Sequence, residues 1–396
     1  MNEHLNEHHF VAWTLVALPI VLFLYAYLIY PALLRLYLLV RPARPLPESL
    51  PEPLPTISIT IPAYNEARSI GATIERLLEL PYPPSLRQIL IVSDASTDGT
   101  DDVVLSYADQ GVELLRIPER KGKTHAENVA AGLLRGEIVV NMDATIHLLP
   151  ESIPRLVRVF ADKTIGVASG RDRSVATVER DAVRAESGYV GYEMWLRRLE
   201  TGCGGIVGAS GCFYAIRRPL VEELFPGALS RDFASPLIAR EAGYRSVSVD
   251  DALCLVPRAR SLESEYKRKM RTMARGLDTL FYKAHLLDPF RFGRFSWMLI
   301  SHKLVRWLVF LFLPALPIGL ALLATDYLWA GVLLCVGLVG AALGLIGWLW
   351  PGKGSAPRLL ALPAFVVASC VAGFMAWIKF LRHEENPIWE PTRRTA

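Results

Sequence analysis

From Phe10 to Val40 the chain is apolar almost without interruption, with Arg35 as the one charged residue in the run. A helix that crosses a bilayer needs about 20 apolar residues, so this stretch predicts a membrane anchor. It is too long for the apolar region of a signal peptide. The nine residues in front of it carry Glu3, Glu7, His4, His8 and His9 but no Lys or Arg, which also argues against one. The histidines are read as part of an external tail. Arg35, Arg41 and Arg44 cluster at the C-terminal side of the run, and the positive-inside rule then predicts that the region beyond the run lies in the cytosol. Residues Pro42 to Pro55 form a Pro-rich linker, which ends the helix and stiffens the exit.

The last hundred residues are apolar again, with candidate spans at about 305–324, 327–350 and 358–381. Residues 291–306 contain Arg291, Arg294, His302, Lys303 and Arg306. Each cation at the bilayer centre would cost about 3 kcal/mol, so this piece is expected to lie along the interface as an amphipathic segment. One span before the middle region and three after it would put the tail, 382–396, outside. Arg382, Arg393 and Arg394 favour the cytosol instead.

Composition agrees with this division. The chain is 52% hydrophobic with 21% charged residues, and the charges lie between the apolar ends. A net charge of +4 demands no nucleic acid. Five cysteines without a C-x-x-C pair indicate neither a disulfide framework nor a zinc site.

The middle region, 56–290, reads as α/β. Strands are predicted at Thr56–Ile61, Gln88–Val92, Val112–Ile117 and Glu137–Met142. Helices are predicted at Arg68–Leu80, Thr100–Ala108 and Val129–Leu134. Such alternation argues for a largely parallel sheet, whose ligands bind at the carboxyl ends of the strands. Asn65 and Glu66, Asp94 and Asp98, and Asp143 each follow a strand. Taken alone, Asp94 to Thr100 is an ordinary strand-to-helix turn with a capping Asp or Thr. Likewise Glu66 could simply open a helix. The run Lys121-Gly-Lys-Thr124 invites a P-loop reading, but Ile117 stands where the motif's first glycine is needed.

Together these pieces resemble the nucleotide-binding half of family 2 glycosyltransferases. ITIPAYNE and IVSDASTDGT sit at two strand ends. Arg120-Lys-Gly-Lys123-Thr-His-Ala126-Glu-Asn128 is similar to that family's R-x-GK-x-x-A-x-N, and Asn141-Met-Asp143-Ala-Thr145 occupies its D-x-D position. Gly208 to Arg218, Ser230-Arg-Asp232-Phe, Glu265 to Arg271 and Trp389 to Arg393 continue the resemblance in order. It implies a GT-A fold, a Rossmann-like nucleotide-diphosphosugar transferase domain, with N-terminal and C-terminal transmembrane helices. It also implies a multi-pass cell-membrane protein with a cytoplasmic catalytic domain.

The implied donor site comprises Ala63, Asn65, Glu66, Asp94, Lys123 and Asp143. A leaving diphosphate needs its growing charge neutralised, and a hard divalent cation with a Lys or Arg does this. Mg2+ or Mn2+ at Asp143 and Thr145, with Lys123 on the diphosphate, is the implied arrangement. Asp232 is the implied general base, and a single base with direct attack inverts the anomeric centre. Arg268 and Arg271 are the implied acceptor or diphosphate contacts, and Arg275 shares a helical face with Arg271. The expected donor is a UDP-sugar, with a GDP-sugar as the alternative, and the acceptor a lipid-linked or membrane-proximal glycan.

Thr145 replaces a second acid and Arg231 the acid usual before the base, where a nearby cation is expected to weaken Asp232 as a base. These departures keep a non-catalytic nucleotide-sugar-binding subunit as an alternative. The Gln and Trp of the Q-x-x-R-W motif are absent around Arg268, which speaks against a processive polysaccharide synthase. Tyr189, Tyr192, Glu193 and Trp195 fall on an amphipathic helix that is expected to border the acceptor entrance.

Overall fold

The computed structural model describes residues 2–175, 182–257, 262–350 and 357–384. Expectations on Trp389 to Arg393 and on Arg394 lie outside them. Eight strands build one sheet: β1 Ile57–Ala63, β2 Arg87–Asp94, β3 Val112–Ile117, β4 Ile138–Met142, β5 His147–Leu148, β6 Ile165–Val175, β7 Phe213–Arg217 and β8 Arg245–Pro257. Their spatial order is β3-β2-β1-β4-β7-β6-β8-β5.

The β3-β2-β1-β4 half is parallel, as expected. The other half corrects the expectation of a largely parallel sheet. β7 runs antiparallel to both β4 and β6, β8 is parallel to β6, and β5 is antiparallel to β8. The sheet is therefore mixed.

Strands β1, β2 and β4 are buried on both faces, which is why they read as continuous apolar runs. Alternate side chains feed two cores. Ile57, Ile59, Ile61, Ile89, Ile91 and Val140 enter one, and Leu90, Val92 and Val139 the other, where Ala126 and Ala130 cover them. Each such aliphatic side chain contributes roughly 1.5–3 kcal/mol when fully buried. The register Ala63↔Ser93 and Thr60↔Asn141 aligns the carboxyl ends of β1, β2 and β4 along one edge.

The helix expected at Val129–Leu134 instead spans Lys123–Ala131. Gly122 precedes it with φ +89°, a conformation that favours glycine, and lets the chain turn into the helix at Lys123. The Pro-rich linker is not a free spacer. Leu46, Leu50 and Leu54 pack on the first core, Arg158 Nε donates to the Pro47 carbonyl at 2.9 Å, and Tyr82 donates to the Pro55 carbonyl.

Among the described residues, four helices are long and apolar enough to cross a membrane: Glu7–Val40, Arg294–Phe312, Leu328–Trp348 and Leu359–Leu381. Side chains such as Phe10, Val21, Leu36, Val336 and Leu359 stand exposed along them, as lipid-facing positions do. The second run passes through the boundary expected at 306, so the interfacial segment and the helix after it are continuous. Its cations do not face an apolar medium. His302 and Arg306 are buried against Glu193 and Glu200 of the helix Ala182–Cys203. Tyr30 of the first candidate span donates to Glu200 at 2.6 Å, so this polar seam joins the candidate membrane helices to the sheet domain. Glu193, expected near the acceptor entrance, is part of that seam. Burial opposes its ionisation, but His302 and Arg306 hold it well below the usual carboxylate range. The side chain of Tyr189 lies outside the description.

Candidate active site

The carboxyl edge of the parallel strands gathers most of the residues singled out in the sequence. Ala63 ends β1, and Asn65 comes two positions later in the left-handed region at φ 54°, a conformation Asn tolerates better than most residues. Asn65 Oδ1 accepts from the Thr97 amide at 2.8 Å, and the Glu66 amide donates to Thr100 Oγ1 at 2.9 Å. The two loops are thus tied together.

Asp98 accepts from the amides of Ala67 and Thr100 and from the Thr100 hydroxyl. Burial works against its ionisation, yet these donors hold its carboxyl below the usual range. Asp94 accepts from the Lys121 amide at 2.9 Å and the Gly122 amide at 2.8 Å, which fixes the loop that delivers Lys123. Beside it the Arg120 guanidinium lies 3.7 Å from the Tyr64 ring centroid, giving the edge a flat cation–aromatic wall.

Lys123 Nζ donates to Asp143 Oδ1 at 2.7 Å and to the Gly211 carbonyl at 2.9 Å. Burial disfavours its charge, but Asp143 first and then Glu127 push its pKa upward. Asp232 also lies against Gly211. A Cβ on that glycine would meet Asp232 Oδ2 at 3.0 Å. Asp232 Oδ1 accepts from Ser230 Oγ at 2.6 Å, leaving Oδ2 on the glycine side. One glycine therefore touches both the cation–carboxylate pair and the candidate base.

Arg231 points away from this arrangement. Its guanidinium donates to Asn128 Oδ1 and to the carbonyls of Val221 and Glu223, so its hydrogen bonds fasten the preceding loop rather than the Asp232 carboxylate. Arg268 is held by Glu265 at 2.6 and 2.9 Å, and Arg271 is half-buried on the same helix. Arg275, on the helical face of Arg271, donates to Thr124 Oγ1 at 2.8 Å and to the carbonyls of Ala228 and Leu229. It clamps the loop that leads to Asp232.

Glu127 is the residue that sequence reasoning passes over. It lies one helical turn beyond Lys123, is only 3% exposed, and neither of its oxygens has a hydrogen-bond partner. Burial pushes its pKa up, opposed by Lys123 and Arg231. The i,i+4 spacing of a Lys and a Glu is the available signal.

Asp143 and Thr145 offer hard oxygen donors suited to a small divalent ion. Among the described residues, no group of three or more His, Cys, Asp or Glu converges to hold one alone. An ion here would complete its shell with diphosphate oxygens and water, as Mg2+ commonly does.

Comparison with known proteins points the same way. Residues 58–225 match the family described as glycosyl transferase family 2. An undecaprenyl-phosphate 4-deoxy-4-formamido-L-arabinose transferase from Serratia proteamaculans is 27% identical over 210 residues, which cover 50% of this chain and 60% of that one. A beta-monoglucosyldiacylglycerol synthase from a Nostoc species is 25% identical over 174 residues, covering 43% and 37%. The chain thus spans less than two thirds of the length of either relative. A mannosyltransferase from Pyrobaculum calidifontis, solved in complex with GDP-Man and Mn2+, is 25% identical. It covers 94% of this chain and 100% of its own with a TM-score of 0.72, so the likeness extends through the candidate membrane helices.

Proposed function

We infer that this chain, which carries a family 2 glycosyltransferase domain over residues 58–225, transfers a sugar from a nucleotide diphosphosugar to a lipid-linked acceptor at the membrane surface, inverting the anomeric centre. The observation that carries the reading is the contact of Gly211 with both the Lys123–Asp143 pair and Asp232. The acceptor hydroxyl oxygen attacks the anomeric carbon and its proton passes to Asp232 Oδ2. The electron pair of the breaking bond leaves on the diphosphate, where Lys123 meets it. A divalent ion at Asp143 and Thr145 supplies further neutralisation of that charge when bound.

Asn65, Glu66, Asp94 and Ala63 shape the donor edge, with Asp94 acting through the loop it holds. The curated relatives act on undecaprenyl phosphate and make a glucosyldiacylglycerol by their names, which supports a lipid-linked acceptor. The solved mannosyltransferase binds GDP-Man, so UDP- and GDP-sugars both belong in the donor panel.

The test is release of nucleoside diphosphate by the purified chain with Mg2+ or Mn2+, a donor panel and lipid acceptors. Asp232→Asn should lower turnover by roughly 100-fold or more while leaving donor binding intact. Unchanged turnover would sink the base assignment, and silence of the unmodified chain on every donor would sink the transfer reading.

A further inference from the structure

At the boundary between the membrane helices and the sheet domain lies a cavity of about 340 Å³ lined by Arg240, Arg291 and Arg294. We propose that this cavity is a binding site for the phosphodiester headgroup of an anionic membrane lipid, distinct from the position where sugar transfer occurs. Three arginines in one cavity would ordinarily share carboxylate partners. Among the described residues none of these three is ion-paired with one. They contact rings and a carbonyl instead. Arg240 Nη2 donates to the Phe292 carbonyl at 3.3 Å, Arg291 lies 5.2 Å from the Phe292 ring centroid, and Arg294 lies 4.6 Å from that of Tyr37. The nearest acids along the chain are engaged elsewhere: Asp288 accepts from the Phe290 amide, and Glu241 from Lys283.

Position identifies the ligand. Tyr37 lies near the C-terminal end of the first membrane helix, and Arg294 is the first residue of the next candidate span. The cavity therefore sits where two membrane helices enter the aqueous side. Phe290, at 99% exposure, projects from the short helix Pro289–Phe292 just before Arg294, as an aromatic side chain does when it inserts among lipid headgroups. A phosphodiester matches the planar, multi-donor guanidinium better than it matches a lysine, and basic pockets at this depth suit lipid head groups.

The site is separate from the candidate base. Arg240 and Asp232 share the helix Arg231–Glu241 and stand about 12 Å apart along its axis at 1.5 Å per residue. A headgroup held by Arg240 would brace the far end of the helix that carries Asp232. The proposal does not depend on the transfer reading.

The experiment uses the full chain in neutral detergent doped with phosphatidylglycerol or phosphatidylcholine. Retained lipid is counted by native mass spectrometry, and melting temperature is followed in parallel. Phosphatidylglycerol should be retained preferentially and raise the melting temperature, and both effects should be lost in Arg291→Ala and in Arg294→Ala. Lys267→Ala, which removes an exposed cation paired with Glu263 at 3.2 Å, should leave them intact. Arg291→Lys should restore part of the retention, which guards against misfolding of the alanine variant. Inorganic phosphate at equal concentration should do nothing. Equal retention of the two lipids, or retention unchanged in both arginine variants, overturns the proposal. So does a phosphate effect equal to that of phosphatidylglycerol, because the site would then bind free anions.

Discussion

His302 Nδ1 lies 2.6 Å from Glu200 Oε1, and both side chains are buried. Glu200 belongs to the sheet domain and His302 to a helix read as membrane-spanning, while Tyr30 of the first membrane helix donates to the same Oε1 at 2.6 Å. Three segments thus meet on one carboxylate. Removing a partner from such a buried pair costs about 3–5 kcal/mol, because the remaining groups are left unsatisfied. Glu200→Leu is therefore expected to lower the melting temperature in detergent far more than Glu200→Gln, which keeps an acceptor for Tyr30. Equal melting of the two variants would show that an acceptor kept for Tyr30 adds nothing to the seam.

Gly211 touches both Lys123 and Asp232, and a methyl group at its Cα would press on the end of the Asp232 side chain at 3.0 Å rather than on backbone. The backbone can keep its course while the carboxylate shifts. Gly211→Ala should then lose roughly 100-fold in kcat, the scale expected for about 1 Å of misplacement, with little change in melting temperature. Steady-state kinetics beside a thermal melt checks the pair of outcomes. A large drop in melting temperature would instead place the glycine's role in folding.

Much of this site is legible in the sequence because its parts are local. A β-branched run ending in Asn65-Glu66, or in Asp94 and Asp98, announces a strand end with polar loop residues within a few positions. The features that cannot be read locally depend on pairing across long separations. β7 lies between β4 and β6 and runs against both, an arrangement that no periodicity encodes. The cations His302 and Arg306 look too costly for a membrane helix because hydropathy counts charges one at a time. Their carboxylates, Glu193 and Glu200, stand about a hundred positions earlier. Arg231 and Arg275 read as site cations because a sequence shows charge and not direction, and both turn toward backbone carbonyls.

The helix Arg358–Leu381 runs beside Leu262–Tyr282 in the same direction. Lys269 donates to Ser369 Oγ at 2.8 Å at the middle of Arg358–Leu381, and Phe281 stacks on Phe380 near its C-terminal end. Leu262–Tyr282 carries Glu263, Lys267, Arg268 and Lys269 and is too polar to sit within hydrocarbon. Its lengthwise partner is accordingly expected to lie at the interface without crossing, which leaves Arg382 on the side of the sheet domain and removes the conflict with the positive-inside rule. A fluorescent protein fused at the C-terminus should be fluorescent in cells, and cysteines placed in the tail should resist an impermeant thiol reagent added outside. Labelling from outside would mean that the helix crosses.

Glu127 gives the last expectation, and its surroundings set the sign. Burial raises its folded pKa above the ordinary 4.5, against the pull of Lys123 and Arg231. Folding therefore favours the neutral acid. The stability it allows is present below the unfolded value and is lost as pH rises through the folded one. With both oxygens unpartnered, the ionised form is the one that opposes folding. Glu127→Gln should then melt above the unmodified chain at pH 7.5, and the gap should narrow as pH falls. The retained cost points to a role one turn back, because Glu127 is among the charges that push the pKa of Lys123 upward. The stabilised variant is accordingly expected to lose turnover, as trade-offs at active sites commonly run. A variant that gained both stability and rate would remove Glu127 from the site.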